Sequence, residues 1–199
     1  PLFLVIERAV SNFTHPNAYF GAVLFRLVAV AGVALMAYYV PRLARLHGVD
    51  PARALWLGVL NPVVLMHFVA GAHNDALMVG LVVTGLALAA ERHCSWGAVA
   101  ITLASTIKPI ALLALPFSGL LWAGRDATWL RRIRAWLLTG VVMICTLASV
   151  FLIADAGTGV IKATFGTPSG VLTWLSPTTA IGKPLGIVST WIGWTDDPA

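Results

Sequence analysis

Five apolar stretches, residues 19–40, 54–70, 76–90, 96–122 and 135–154, make up most of the chain, and short polar connections separate them. Each is judged against the roughly 20 residues needed to cross hydrocarbon. Lipid offers unpaired backbone groups no partner, so segments of this kind must be helical. The predicted fold class is therefore all-α, a polytopic membrane protein built as a transmembrane helix bundle. Residues 1–11 add a short apolar helix before the first full span. No internal repeat or heptad is evident.

Composition agrees with the pattern. The chain is 59% hydrophobic and 11% charged, with 8 Trp, and its mean hydropathy is +0.87, whereas about a quarter of residues in soluble domains are charged. It opens at Pro1 inside an apolar stretch and ends at Asp196-Asp197-Pro198-Ala199. This reads as an internal piece, residues 1–199, of one longer transmembrane domain. Neither Cys94 nor Cys145 stands in a metal-binding spacing, and a disulfide between them is not expected. The net charge of +5 sits in loops between apolar spans rather than along an aromatic-interleaved face. Membrane lipids, not nucleic acid, are the partners this implies.

The loop charges also orient the chain. Three arginines, Arg42, Arg45 and Arg53, follow the first span, and four, Arg125, Arg131, Arg132 and Arg134, precede the last. Both connections are predicted to be cytoplasmic by the positive-inside rule. The turn at residues 71–75 has no Lys or Arg and goes outside, and Glu91-Arg92-His93 returns to the cytoplasm. Arg92 and Arg125 then share a side, so residues 96–122 must cross an even number of times. Pro109, preceded by Lys108, resolves this by breaking the run into two short helices. Arms of about 13 residues reach only about 20 Å, so this broken hairpin must be tilted, locally thinned around, or sheltered by other helices. Residues 155–184, rich in Gly, Thr and Pro and carrying Trp174, are expected to form a long extracytoplasmic loop, and Trp191 and Trp194 suit the headgroup interface.

Charge within such a chain is the place to look for chemistry, because an ionisable group in hydrocarbon costs about 2.5 kcal/mol or more. His73-Asn74-Asp75-Ala76 interrupts the longest apolar run, and Arg26 lies about 10 Å into its helix at 1.5 Å per residue. Each has a plain structural alternative. Asp75 serves equally as a helix N-cap, Arg26 as one half of an intramembrane ion pair, and Lys108 as a residue snorkelling to the interface. His67 and His73 fit as hydrogen-bonded packing residues, since two His without a third ligand make a poor metal site. Asn61-Pro62 is expected to kink its helix. What these groups share is a predicted level, the outer membrane boundary. Arg26 and Lys108 there suit a phosphate, which takes charge-assisted donors, and the acidic turn offers partners for sugar hydroxyls.

The stretch Asn61-Pro62-Val63-Val64-Leu65-Met66-His67-Phe68-Val69-Ala70-Gly71-Ala72-His73-Asn74-Asp75-Ala76-Leu77-Met78-Val79-Gly80, with Ser105-Thr106-Ile107-Lys108-Pro109 and Ser176-Pro177-Thr178-Thr179, resembles the actinobacterial polyprenyl-phosphomannose-dependent α-1,6-mannosyltransferases. These are integral-membrane enzymes of the GT-C class. The resemblance implies transfer of mannose from polyprenyl-phosphate-mannose to a growing mannan of the lipomannan and lipoarabinomannan type, or to a phosphatidylinositol-mannoside acceptor. It implies a plasma-membrane, multi-pass protein with an extracytoplasmic site, using neither metal nor other cofactor. An acidic catalytic residue is implied in a loop N-terminal to this region, so the catalytic base is unassigned. Arg26, Lys108 and Lys183 become the candidates for the donor phosphate, and His73, Asn74 and Asp75 for sugar or acceptor hydroxyls. The rival expectations are another polyprenyl-phosphosugar transferase, such as an arabinosyl one, and a secondary transporter.

Overall fold

A computed structural model describes residues 1–14 and 17–155. Among these residues every regular element is helical: α1 (Leu2–Thr14), α2 (Ala18–Leu46), α3 (Pro51–Gly58), α4 (Pro62–Val64) running into a π-helical segment (Leu65–Ala70), α5 (Asp75–Ala90), α6 (Cys94–Ser105), a 3-10 segment (Pro109–Ala114), α7 (Leu115–Ala123) and α8 (Trp129–Ile153). The all-α expectation holds, and so does the division into apolar spans. Apart from its first residue, Asp155, the expected loop at residues 155–184 lies outside the described residues, as do the tryptophans Trp174, Trp191 and Trp194.

Two helices, α2 and α8, are long and apolar enough to cross a membrane, and the chain is a membrane protein. Helix α3 and α4 with its π segment, bent by 44°, together have the length and apolar character of a third, broken span. Asn61-Pro62 causes the bend, as its sequence suggests. Proline supplies no amide hydrogen, and Asn61 bridges the gap. Its amide nitrogen donates to the Leu57 carbonyl at 2.9 Å and its side-chain oxygen accepts from the Val64 N–H at 3.0 Å. The kink thus leaves few backbone groups without a partner in an apolar setting, where each would be costly.

The remaining helices are short. At 16 residues for α5 and 12 for α6, they are about 24 and 18 Å long, against about 30 Å of hydrocarbon. The expected break falls where Lys108-Pro109 put it. Helix α6 rises to Lys108, the 3-10 segment and α7 return, and Arg92 and Arg125 line one cavity at the opposite end.

What fixes the height of α5 is its contact with α2. Ala29, Val33 and Met36 of α2 pack with Ala76 in one buried cluster, and Gly32 lies directly on the Ala76 backbone, leaving no space for even one methyl group. Small residues at helix interfaces are the means by which membrane helices approach backbone to backbone. At the last helix, the Trp136 indole donates to the Pro116 carbonyl at 3.1 Å, tying α8 to α7. The Arg8 guanidinium donates to the Ala154 carbonyl at 2.6 Å, placing a cation at the negative end of the α8 dipole.

Gly32→Ala is expected to force α2 and α5 apart and to lower the thermal midpoint of the detergent-solubilised protein, at a cost of about 1–3 kcal/mol. Gly140→Ala, where an added Cβ meets open space, is expected to be neutral or to stabilise by up to about 1 kcal/mol. Equal midpoints for the two variants would refute the backbone contact.

Candidate functional site

The turn before α5 is tightly wound. The His73 N–H donates to the Phe68 carbonyl at 3.1 Å, while the Ala72 and Gly71 N–H groups reach Val69 and Met66, both at 3.2 Å. Closing the turn puts Ala72 at φ 49, a left-handed conformation uncommon for residues other than glycine. A Cβ on Gly71 would come within 2.5 Å of the His67 carbonyl oxygen and 2.9 Å of the His73 ring. Glycine at this position is what lets the two histidines approach. Their rings stack with centroids 4.6 Å apart and an interplanar angle of 16°.

Lys108 arrives from the other break. A residue before proline is driven out of the helical region, and Lys108 is extended, at φ −139 and ψ 129. Helix α6 therefore stops just ahead of it, and its last turns are closed by hydroxyls. Thr102 donates to the Ala98 carbonyl at 2.8 Å, Ser105 to Thr102 at 2.7 Å and Thr106 to Leu103 at 2.7 Å. A rigid, internally satisfied helix end thus carries a long cationic side chain on an extended backbone.

The two breaks meet. Lys108 Nζ lies 2.6 Å from Asp75 Oδ1, and His73 Nδ1 lies 3.8 Å from Asp75 Oδ2, beyond hydrogen-bond length. The side chains are 44% exposed for Lys108 and 23% for Asp75. Lys108 has three N–H donors, and only one is needed for Asp75, so the ammonium keeps donors for a further anion. The capping alternative for Asp75 fails. Asp75 is the first residue of α5, the cap position falls to Asn74 in helical conformation, and Asn74 makes no side-chain capping bond. Lys108 pairs with a carboxylate instead of standing alone at an interface.

Arg26 is exposed, without an ion pair among the described residues. It continues the α2 stripe of Ala29, Val33 and Met36 that packs on α5, and stands six residues before Gly32, about 9 Å along the helix axis. Because Gly32 abuts Ala76, the ion pair sits beside the middle of α2, with Arg26 above it toward the N-terminal end. Helix α2 extends past the turn by about 20 Å. The site is therefore recessed below the end of α2, because α5 and α6 are too short to rise with it. Lys183 lies outside the described residues.

Sequence reasoning undervalued His67 and Gly71. The available signal was their spacing to His73 within one tight turn, which a π-helical segment makes productive; such segments recur at functional sites. Among the described residues, no three His, Cys, Asp or Glu side chains gather as metal ligands.

These features define an integral-membrane helical protein in which an ion pair between Lys108 and Asp75 joins two helix breaks. The comparisons give the family. Residues 1–124 match the family described as alpha-(1->6)-mannopyranosyltransferase, N-terminal domain, and the chain belongs to it. It is 35% identical over 162 residues to alpha-(1->6)-mannopyranosyltransferase A of Mycobacterium tuberculosis, covering 80% of this chain and 31% of that protein. It is 33% identical to a probable alpha-(1->6)-mannopyranosyltransferase of Mycolicibacterium smegmatis, covering 98% and 40%, and 38% identical to alpha-(1->6)-mannopyranosyltransferase A of Corynebacterium glutamicum, covering 62% and 25%. The chain thus spans less than half the length of these curated relatives. No solved structure matches it.

Asp75→Asn and Lys108→Gln are expected to lower stability by amounts that do not add. A coupling of about 0.5 kcal/mol, in the range of partly exposed pairs, should appear in a double-mutant cycle on thermal unfolding. Strictly additive losses would show that the two groups do not interact.

Proposed function

We propose that the protein transfers mannose from polyprenyl-phosphate-mannose to a growing α-1,6-mannan of the lipomannan and lipoarabinomannan backbone, or to a phosphatidylinositol-mannoside-type acceptor. The contact between Lys108 and Asp75 carries this reading, because it joins a cation with spare donors to a turn rich in hydroxyl-binding groups. Membership of the mannosyltransferase family supports it. The site would face the exterior of the plasma membrane in a multi-pass protein, in keeping with arginines crowding the opposite end of the bundle.

In this mechanism an acceptor hydroxyl attacks the anomeric carbon in a single displacement, and the bond to the donor phosphate breaks. Negative charge grows on the departing phosphate, so cations already fixed beside it stabilise the transition state more than the bound donor. Lys108 would hold that phosphate directly, with Arg26 approaching from the upper side of the recess and Lys183 a third candidate by sequence alone. His73, Asn74 and Asp75 would orient sugar or acceptor hydroxyls. Asp75 oxygens accept hydrogen bonds, and the stacked His67 supports the His73 ring. The residue that removes the acceptor proton is not assigned among the described carboxylates. The prenyl chain would leave the recess into lipid alongside the exposed upper half of α2.

Assayed as the full-length protein in membranes with a mannosyl polyprenyl phosphate, Lys108→Ala is expected to reduce kcat by about 100-fold with membrane insertion intact. Arg26→Ala should also sharply reduce transfer, whereas the surface change Tyr38→Phe should not. Full activity in both cation variants would remove the phosphate site, and preferential transfer from an arabinosyl donor would reassign the sugar.

A further inference from the structure

At the opposite end of the bundle lies a cavity of about 630 Å³ that the proposed reaction does not use. Leu43 of α2, Leu86 of α5, and Phe117 and Leu121 of α7 form apolar walls, and Arg92, Arg125 and Arg132 stand around them. Both ion-pair contacts found among the described residues are at Asp75. None of the three guanidiniums is therefore neutralised by a described carboxylate. Glu91 and Asp126, their neighbours in sequence, do not line the cavity.

Local geometry brings the arginines together around the cavity. Arg132 Nη2 reaches the Arg125 carbonyl at 3.4 Å, which draws its guanidinium toward the loop before α8. Arg92 adopts φ 73, a conformation costly for a residue with a side chain. Its Nη1 comes within 3.7 Å of where a Cβ on Gly124 would stand. Orienting a chain in a membrane requires only that loops carry positive charge. It does not require a strained arginine beside a cavity with leucine and phenylalanine walls, so orientation alone leaves this arrangement unexplained.

We propose that this end of the protein binds one anionic phospholipid of the adjoining leaflet. The phosphodiester takes paired N–H donors from the guanidiniums, a geometry arginine provides, and an acyl chain lies along Leu43, Leu86 and Phe117. Basic pockets between membrane helices hold anionic headgroups in this way. The apolar walls single out a lipid, since a soluble phosphate would gain nothing from them. A lipid bound here fastens the ends of α2, α5 and α7 together, at the far end from Lys108 and Asp75.

The test uses the full-length protein, purified and exchanged into nanodiscs with spin-labelled phosphatidylglycerol or phosphatidylcholine. Retention of phosphatidylglycerol over phosphatidylcholine is expected, and each of Arg92→Asn and Arg132→Gln should weaken it about fivefold. Asparagine tolerates the left-handed backbone, so Arg92→Asn removes charge without adding strain. Equal retention of the two lipids, unchanged retention in the double variant, or complete displacement by inorganic phosphate would overturn the proposal. A photoactivatable phosphatidylglycerol provides a check on the unmodified protein: labelling concentrated at Phe117 and Leu121 supports the site, and labelling spread evenly along α8 refutes it.

Discussion

Nothing but backbone separates α2 from α5 where Gly32 meets Ala76, and the geometry of the candidate site follows from that contact. It fixes the first turn of α5, hence Asp75, beside the middle of the longest helix. A side chain at position 32 would hold α5 farther away and loosen its register. With the contact in place, Asp75 lies in a recess deep enough to be partly shielded yet open along the exposed upper half of α2.

The second constraint is the shortness of α5 and α6. A helix of 16 or 12 residues does not cross hydrocarbon by itself, and each of these ends in a break enforced by local chemistry. Pro109 stops α6 and extends Lys108, while the closing turn at Gly71 and Ala72 delivers Asp75. An isolated ammonium or carboxylate at such a depth would cost about 2.5 kcal/mol or more. Placing the two breaks at one height lets each charge offset the other. The same economy explains why both helix ends are closed internally, by the α6 hydroxyls on one side and the turn carbonyls on the other, which leaves the charged groups available.

Much of this was legible in the sequence. Apolar length set the helices, and the arginine loops together with parity required a break at Lys108-Pro109, which is where the chain turns. Asn61-Pro62 announced the bend between α3 and α4. The role of Asp75 was open between capping and binding of hydroxyls, and its pairing with Lys108 was not foreseen, because an acidic residue at the start of an apolar helix is compatible with each. The ion pair depends on the position of Lys108, more than thirty residues away. The depth of the site was equally hidden. Sorting charges by loop gives a side but not a height, and height depends on which small residues of α2 and α5 interlock. His67 and Gly71 were obscured for a related reason, since their value lies in a π-helical turn that has no strong signature in residue spacing.

The two ends of the bundle use positive charge differently, and the difference bears on how the helices are held. At the recessed end, Lys108 is paired at 2.6 Å with a carboxylate, so its net field is small until an anion shares the ammonium. At the other end three guanidiniums share an apolar-walled cavity without a described carboxylate, and their mutual repulsion opposes the closure of that cavity. Such an arrangement is most stable with a bound anion. The helices that meet there, α2, α5 and α7, include the two whose contact sets the height of Asp75. An anion between the arginines would therefore stabilise the same α2 and α5 packing that the recess depends on, linking the two ends through the stiffness of short helices and requiring no movement of either site.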